Sequence, residues 1–210
     1  QKPGEAKAKF AEIKQLDPKK FEVYLLEAQF EASQKNLAAA TAVLDAGLKA
    51  LPDKKELYLA RASLADAQQQ FAEGEEYLKK AAALDPKDAA ILGALARHYT
   101  QARQFDQAEQ ILRQQMQLEP DNEKNAVTLA RLLLGLNKPK EAEQELTAFI
   151  AKHPDKSDIK FALAEFYLSR RQEGKALKTL QDMVDQAPTG PAGLQAKSRM
   201  AALHAARGRT

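Results

Sequence analysis

The chain has no cysteine, which excludes disulfides and thiolate metal sites. A cysteine-free chain suits cytosol and periplasm alike, so this absence leaves the compartment open. Glycine and proline number nine each in 210 residues, too few for long disordered linkers. Apolar runs such as Leu132-Leu133-Leu134 fall far short of the ~18 residues that a membrane span requires. Direct membrane insertion of this segment is therefore not expected. Charge of one sign is also scarce: 32 basic and 29 acidic residues leave a net +3. That balance offers no bulk electrostatic footprint for nucleic acid or an anionic membrane, and no nucleic-acid partner is expected.

Catalytic signatures are missing as well. The three histidines, His98, His153 and His204, lie far apart and form no H-E-x-x-H or similar ligand pair. His98 reads as a helix-surface residue and His153 as a turn residue. There is no G-x-S-x-G, Walker-type or dinucleotide-binding glycine pattern, and Gly190-Pro191-Ala192-Gly193 lacks a preceding strand. Carboxylates such as Glu75-Glu76 stand near Lys79-Lys80, as i,i+4 partners on a solvated helix face do. These readings predict no enzyme activity, no cofactor and no metal.

What is present is a period. Pro18, Pro52, Pro86, Pro120, Pro154 and Pro188 stand 34 residues apart, six of the nine prolines in the chain. Small residues keep the same step at Ala28, Ala62, Ala96, Ala130 and Ala164, and again at Ala6, Ala40, Gly74, Ala108, Ala142 and Ala176. A large apolar series follows Phe10, Leu44, Leu78, Leu112, Leu146 and Leu180. Between prolines the apolar spacing is helical, as in Leu92, Leu95, Ala96 and Tyr99. Proline cannot continue a helix ladder, and polar tips at Arg103-Gln104 and Asn137-Lys138 divide each period into two helices. Pro139 suits the first turn of a helix, where its missing N–H costs nothing. The small-residue series let paired helices approach closely.

This pattern resembles the tetratricopeptide repeat family, whose unit is a 34-residue helix–turn–helix. The resemblance covers essentially the whole chain. It implies an all-α, right-handed solenoid of antiparallel helix pairs, a superhelix of about twelve helices. The divisions expected are a partial second helix over residues 3–20, full repeats over 21–54, 55–88, 89–122, 123–156 and 157–190, and a further first helix over 191–210. That last helix is expected near 194–207, shifted by about three residues so that Ala201 takes the small-residue role. Family aromatics persist at Tyr24 and Tyr58 and at Tyr99 and Tyr167, but Leu92, Ala126, Glu31, Ala65 and Leu133 replace them elsewhere. Gln1-Lys2-Pro3-Gly4 is not a signal peptide and does not begin with Met, while Gly208-Arg209-Thr210 resembles a turn inside a repeat. A fragment of a longer array is expected, with self-association through exposed terminal helices a further expectation.

The resemblance also implies that the first helix of each repeat lines a concave, ligand-holding face. The candidates there are Leu25, Leu26, Gln29, Leu59, Ser63, Arg97, Gln101, Lys124, Val127, Arg131, Phe161 and Glu165. Arg97 and Arg131 are 34 residues apart and Glu165 follows at the same step. They read either as a carboxylate-binding ladder or as an internal Arg131–Glu165 pair. Leu25, Leu26, Leu59, Val127 and Phe161 read either as an apolar strip for a peptide or as packing between first helices. The Lys/Asn/Asn/Lys/Arg clamp of chaperone-tail binders falls on Leu25, Gln29, Ala60, Ala90 and Ala94, or one repeat later on Leu59, Ser63, Ala94, Lys124 and Thr128, and matches neither way. The expected partner is thus a protein or peptide, bound by a non-catalytic scaffold. The alternatives are a regulatory domain of a larger enzyme or secretion/exopolysaccharide assembly, and an RNA-binding helical repeat. The Ala/Gln/Lys-rich style is similar to long arrays of bacterial cell-envelope lipoproteins, which tilts the expected localisation towards the periplasm.

Overall fold

The computed structural model describes residues 3–206 and 208. Gln1 and Lys2 at the start, and Arg209 and Thr210 of the expected final turn, lie outside the described residues. Among the described residues there are twelve α-helices and no strand: α1 Pro3–Leu16, α2 Phe21–Ser33, α3 Leu37–Ala50, α4 Lys55–Ala67, α5 Phe71–Leu84, α6 Ala89–Gln101, α7 Phe105–Leu118, α8 Glu123–Gly135, α9 Pro139–Lys152, α10 Ser157–Ser169, α11 Glu173–Gln186 and α12 Pro191–Ala206. No helix among them is long and apolar enough to cross a membrane.

Two kinds of turn produce the alternation. Each of the six periodic prolines follows the first residue of a four-residue turn, closed for example by Lys20 N–H to Asp17 O at 3.2 Å and Asn122 N–H to Glu119 O at 3.1 Å. Proline suits that second turn position because its φ is already set. Inside each period the first helix ends differently. Lys35, Gln69, Arg103, Asn137 and Arg171 all adopt φ between 57° and 61°. The residue after each donates back to the helix, as Asn36 N–H does to Glu31 O at 2.9 Å and Gln104 N–H to Tyr99 O at 2.7 Å. This is the Schellman termination, repeated five times without a glycine. Two of the proline turns also cap the next helix: Asp88 accepts from Ala90 and Ile91 N–H, and Asn122 from Lys124 N–H. Pro139 occupies the first turn of α9.

The helices form two compact units, residues 1–114 and 115–210, with the boundary inside α7. In the first unit α2 packs on α3 and α4 on α5, while α4 neighbours both α2 and α6. Its core gathers Val23, Tyr24, Ala28, Ala40, Leu44, Leu51 and Leu57. In the second unit α8 packs on α9 and α10 on α11, α8 adjoins α10, and α12 closes on α11. The periodic small residues sit where helices cross: Ala40, Ala62, Ala142, Ala164 and Ala176 are all buried. A leucine there would force the helices apart.

The last helix corrects the expected register. It begins at Pro191, not near residue 194, because Gly193 lies against the Ala187 carbonyl; a Cβ there would stand 1.9 Å from that oxygen. The buried face then runs through Ala196, Met200 and Leu203 at helical spacing. Ala201 lies off that face and is exposed. Ala196 therefore fills the small-residue place expected of Ala201.

His98 is a second correction. It is buried, at 1% exposure, not a surface residue. The 34-residue step puts it in line with Phe30, Leu64, Leu132 and Phe166, so its position belongs to the helix-pair interior. Its Nδ1 meets Asp66 Oδ1 at 2.7 Å, and Phe71 approaches the ring edge-on. The pair fits because Gly74 replaces the alanine of its series. A Cβ at residue 74 would stand 2.3 Å from Asp66 Oδ1.

Candidate binding site

A recess opens on the first helices in each unit. In the first unit a cavity of about 780 Å³ lies between α4 and α6. Leu59, Ala62, Ser63 and Asp66 supply the α4 side, and Ala90, Ala94, Arg97 and Gln101 the α6 side. Phe71 and Leu78 contribute from α5, and Gln69 and Arg103 from the left-handed turns. The small side chains of Ala90 and Ala94 leave the space open; a leucine at either would fill much of it.

Among the described residues, Asp66 is the one carboxylate lining this cavity. It is largely buried, and its Oδ1 accepts from His98 Nδ1. Among the described residues neither Arg97 nor Arg103 is paired with a carboxylate, so both exposed guanidinium groups are available.

In the second unit a cavity of about 450 Å³ is lined by Glu123, Lys124, Val127, Thr128 and Arg131 of α8, by Asp158, Phe161, Ala162 and Glu165 of α10, and by Gln195 and Arg199 of α12. A smaller recess of about 150 Å³ shares Val127, Arg131, Ala162 and Glu165 and reaches Leu146 and Phe166. Charges here are balanced, three acids against three bases. Glu165 does not pair with Arg131. Its Oε1 accepts from Arg199 Nη1 at 2.7 Å, one further step of 34 residues along the chain. Arg199 also lies 4.4 Å above the Phe161 ring. Phe161 is consequently only 5% exposed and packs with Ala164, Leu180 and Ala196. It lines the recess as a covered core ring rather than as a free apolar surface.

The structure thus groups Leu59, Ser63, Arg97 and Gln101 in one cavity, and Lys124, Val127, Arg131, Phe161 and Glu165 in the other. Leu25, Leu26 and Gln29 line neither. Leu25 packs against the first unit's core, Leu26 is 56% exposed, and Gln29 is exposed. The first helices of the five full repeats do not contain Gln69, Arg103 or Arg199. The first two lie on the turns that end first helices. Arg199 is signalled by continuing the Arg97, Arg131, Glu165 step once more.

Tyrosines brace both units in the same way. Tyr99 O–H donates to Glu75 Oε1 at 3.3 Å and Tyr167 O–H to Glu143 Oε1 at 2.8 Å. The Lys175 ammonium, then the Tyr167 hydroxyl, hold Glu143 below the usual carboxylate range. Burial, helped by Glu143, pushes the Tyr167 hydroxyl up to about 12.

Comparison with known proteins places this geometry among repeat structures. Tetratricopeptide-repeat models match residues 67–121, 100–148 and 127–191, together more than half of the chain. No curated protein matches it in sequence. Similar solved structures include YrrB, described as a TPR protein with an unusual peptide-binding site, at 18% identity and a TM-score of 0.55, covering 90% of this chain and 97% of that one. TTC0263, a TPR protein of Thermus thermophilus, has 22% identity and a TM-score of 0.54, covering 87% and 97%. Pseudomonas aeruginosa pilF has 17% identity and a TM-score of 0.61, covering 90% and 86%. At these identities the likeness is one of fold.

Proposed function

Because the chain belongs to the tetratricopeptide repeat family, an α-solenoid fold suited to protein interaction, we propose that it is a non-catalytic scaffold whose first-helix faces hold a segment of a partner protein. The observation that carries this reading is that both larger recesses are built chiefly from first helices and kept open by alanines: Ala90 and Ala94 in one unit, Ala162 in the other. Small side chains let an extended backbone come close to the helices. The long polar side chains around them, such as Gln101 and Lys124, offer hydrogen bonds to it. YrrB carries a peptide-binding site on a similar fold, which supports the reading by analogy of architecture.

The test is capture of partners on the immobilised protein, followed by Arg97→Ala and Arg131→Ala variants. Both residues are exposed, so their loss leaves the helices intact. Loss of a captured partner in either variant is expected. Retention of every partner by both variants would remove these faces from the account.

A further inference from the structure

The two recesses differ in charge, and the difference selects a ligand. The second-unit recess is balanced, and Arg199 and Glu165 already satisfy each other. In the first-unit cavity the single carboxylate, Asp66, is engaged by His98 and wedged against Gly74. Arg97 and Arg103 project from two different elements, α6 and the turn after it, with no carboxylate partner among the described residues. Two guanidinium groups at one cavity repel each other, and a ligand bearing carboxylates relieves that repulsion while accepting forked hydrogen bonds.

We propose that the α4–α6 cavity binds an extended peptide segment through its acidic side chains, with Arg97 and Arg103 as the two carboxylate contacts. This rests on the reading of the first-helix faces as the binding faces and adds the chemistry of the occupant. Ala90 and Ala94 give the segment's backbone room beside α6, and the Gln69 and Gln101 amides stand at the cavity as partners for its N–H and C=O groups. Two separated guanidinium groups call for two carboxylates along one segment, so internal Asp or Glu residues are the intended ligands and a free C-terminus is not required. The cavity's own acid, Asp66, is hydrogen-bonded to His98 and forms no ion pair with either arginine among the described residues.

A random 16-residue peptide library, displayed with blocked C-termini, is selected on the full chain and on an Ala94→Trp variant that fills the cavity. Enriched peptides are expected to be rich in Asp and Glu and absent from the Ala94→Trp selection. Synthetic versions of these peptides should lose at least about tenfold in affinity when their acids become Gln and Asn. Arg97→Gln or Arg103→Asn should cause a loss of similar size. Asparagine tolerates the left-handed backbone at residue 103 and so keeps the turn. Cooperative thermal unfolding followed by circular dichroism confirms that all three variants remain folded. Peptides that enrich in an Ala94-dependent way but show no acidic bias, or bind the arginine variants equally, would overturn the acidic-ligand proposal and leave the first-helix reading standing. Absence of any Ala94-dependent enrichment would count against both.

Discussion

His98 Nδ1 stands 2.7 Å from Asp66 Oδ1 inside the first unit, a polar pair at a point where the other repeats place phenylalanine or leucine. The glycine that admits it, Gly74, is the exception in a series of alanines whose members 40, 108, 142 and 176 are nearly inaccessible. The three residues therefore form one unit of substitution. Gly74→Ala, the change that would restore the family's own pattern, is predicted to destabilise the chain by about 1–3 kcal/mol, since the new methyl meets a carboxylate that cannot swing away without leaving His98. In an Asp66→Ala, His98→Leu background the same change should become neutral or stabilising, because alanine is the better helix former. Denaturant titration of the four variants measures the coupling. Equal costs of Gly74→Ala in both backgrounds would show that the three positions are independent.

The five left-handed turn residues carry a steric cost that glycine would not. A side chain with a Cβ at such φ costs about 1–2 kcal/mol, part of which glycine returns as unfolded-state entropy. Arg171→Gly is expected to stabilise the chain by about 0.5–1 kcal/mol, and Asn137→Gly by less, because asparagine already tolerates this conformation. A β-branched residue, as in Arg171→Val, should act in the opposite direction. Shifts in denaturation midpoint at constant slope provide the comparison.

Arg61 is buried although three of its equivalents, Leu95, Leu129 and Leu163, are apolar. Its guanidinium joins Asp45 at 2.9 Å to Glu73 at 2.5 Å and lies 4.8 Å above the Tyr77 ring. Both carboxylates reach solvent, so they rehydrate when the arginine is lost. The cost of Arg61→Ala is therefore mainly that of the missing stem, about 2–3 kcal/mol. Arg61→Leu should recover most of it, as apolar replacement of a buried ion pair commonly does. If leucine proves as costly as alanine in thermal unfolding, the ionic contacts matter more than the packing.

Glu143 makes stability depend on pH with a definite sign. Its carboxyl is held below the usual range by Lys175 and Tyr167 in the fold, so the unfolded chain binds its proton first. The stabilisation is present above the ordinary glutamate pKa of about 4.3 and is lost as pH falls through the lower folded value. Tyr167 works at the other end: its hydroxyl is pushed up to about 12, so stability falls as pH rises from about 10 through that value. Glu143→Gln should flatten the acid limb of the stability curve. Carboxyl carbon NMR of Glu143 reads the shift directly; a midpoint at or above the ordinary value contradicts the assignment.

Much of the fold was legible because a 34-residue step in proline, alanine and leucine needs no knowledge of the surface. Helix pairing, the proline turns and the buried alanines all follow from it. What escaped was the effect of register on polar residues. His98 and Arg61 look solvent-exposed by chemistry, yet their place in the repeat buries them. Ala201 takes the wrong place because the last helix is expected to start about three residues late, whereas Gly193 lets α12 begin early beside the Ala187 carbonyl. Among the cavity-lining residues, Leu59 and Arg97 follow from the first-helix pattern. Arg103 does not, because turn residues read as punctuation rather than as part of a wall. Phe161 stays open in sequence between groove contact and packing, because no one-dimensional pattern shows that an arginine 38 residues later lies over its ring.

The most direct test of the scaffold account is site-specific photo-crosslinking from four positions in extracts of cells that express the protein. A benzophenone side chain is placed at Ala94 or Val127, which line the two recesses, and at exposed Ala72 or Lys178 on second helices. The account predicts discrete crosslinked partners from Ala94 or Val127 and none of the same species from Ala72 or Lys178. Partners captured from Ala72 and Lys178 but not from Ala94 and Val127 would place binding on the second helices and contradict it.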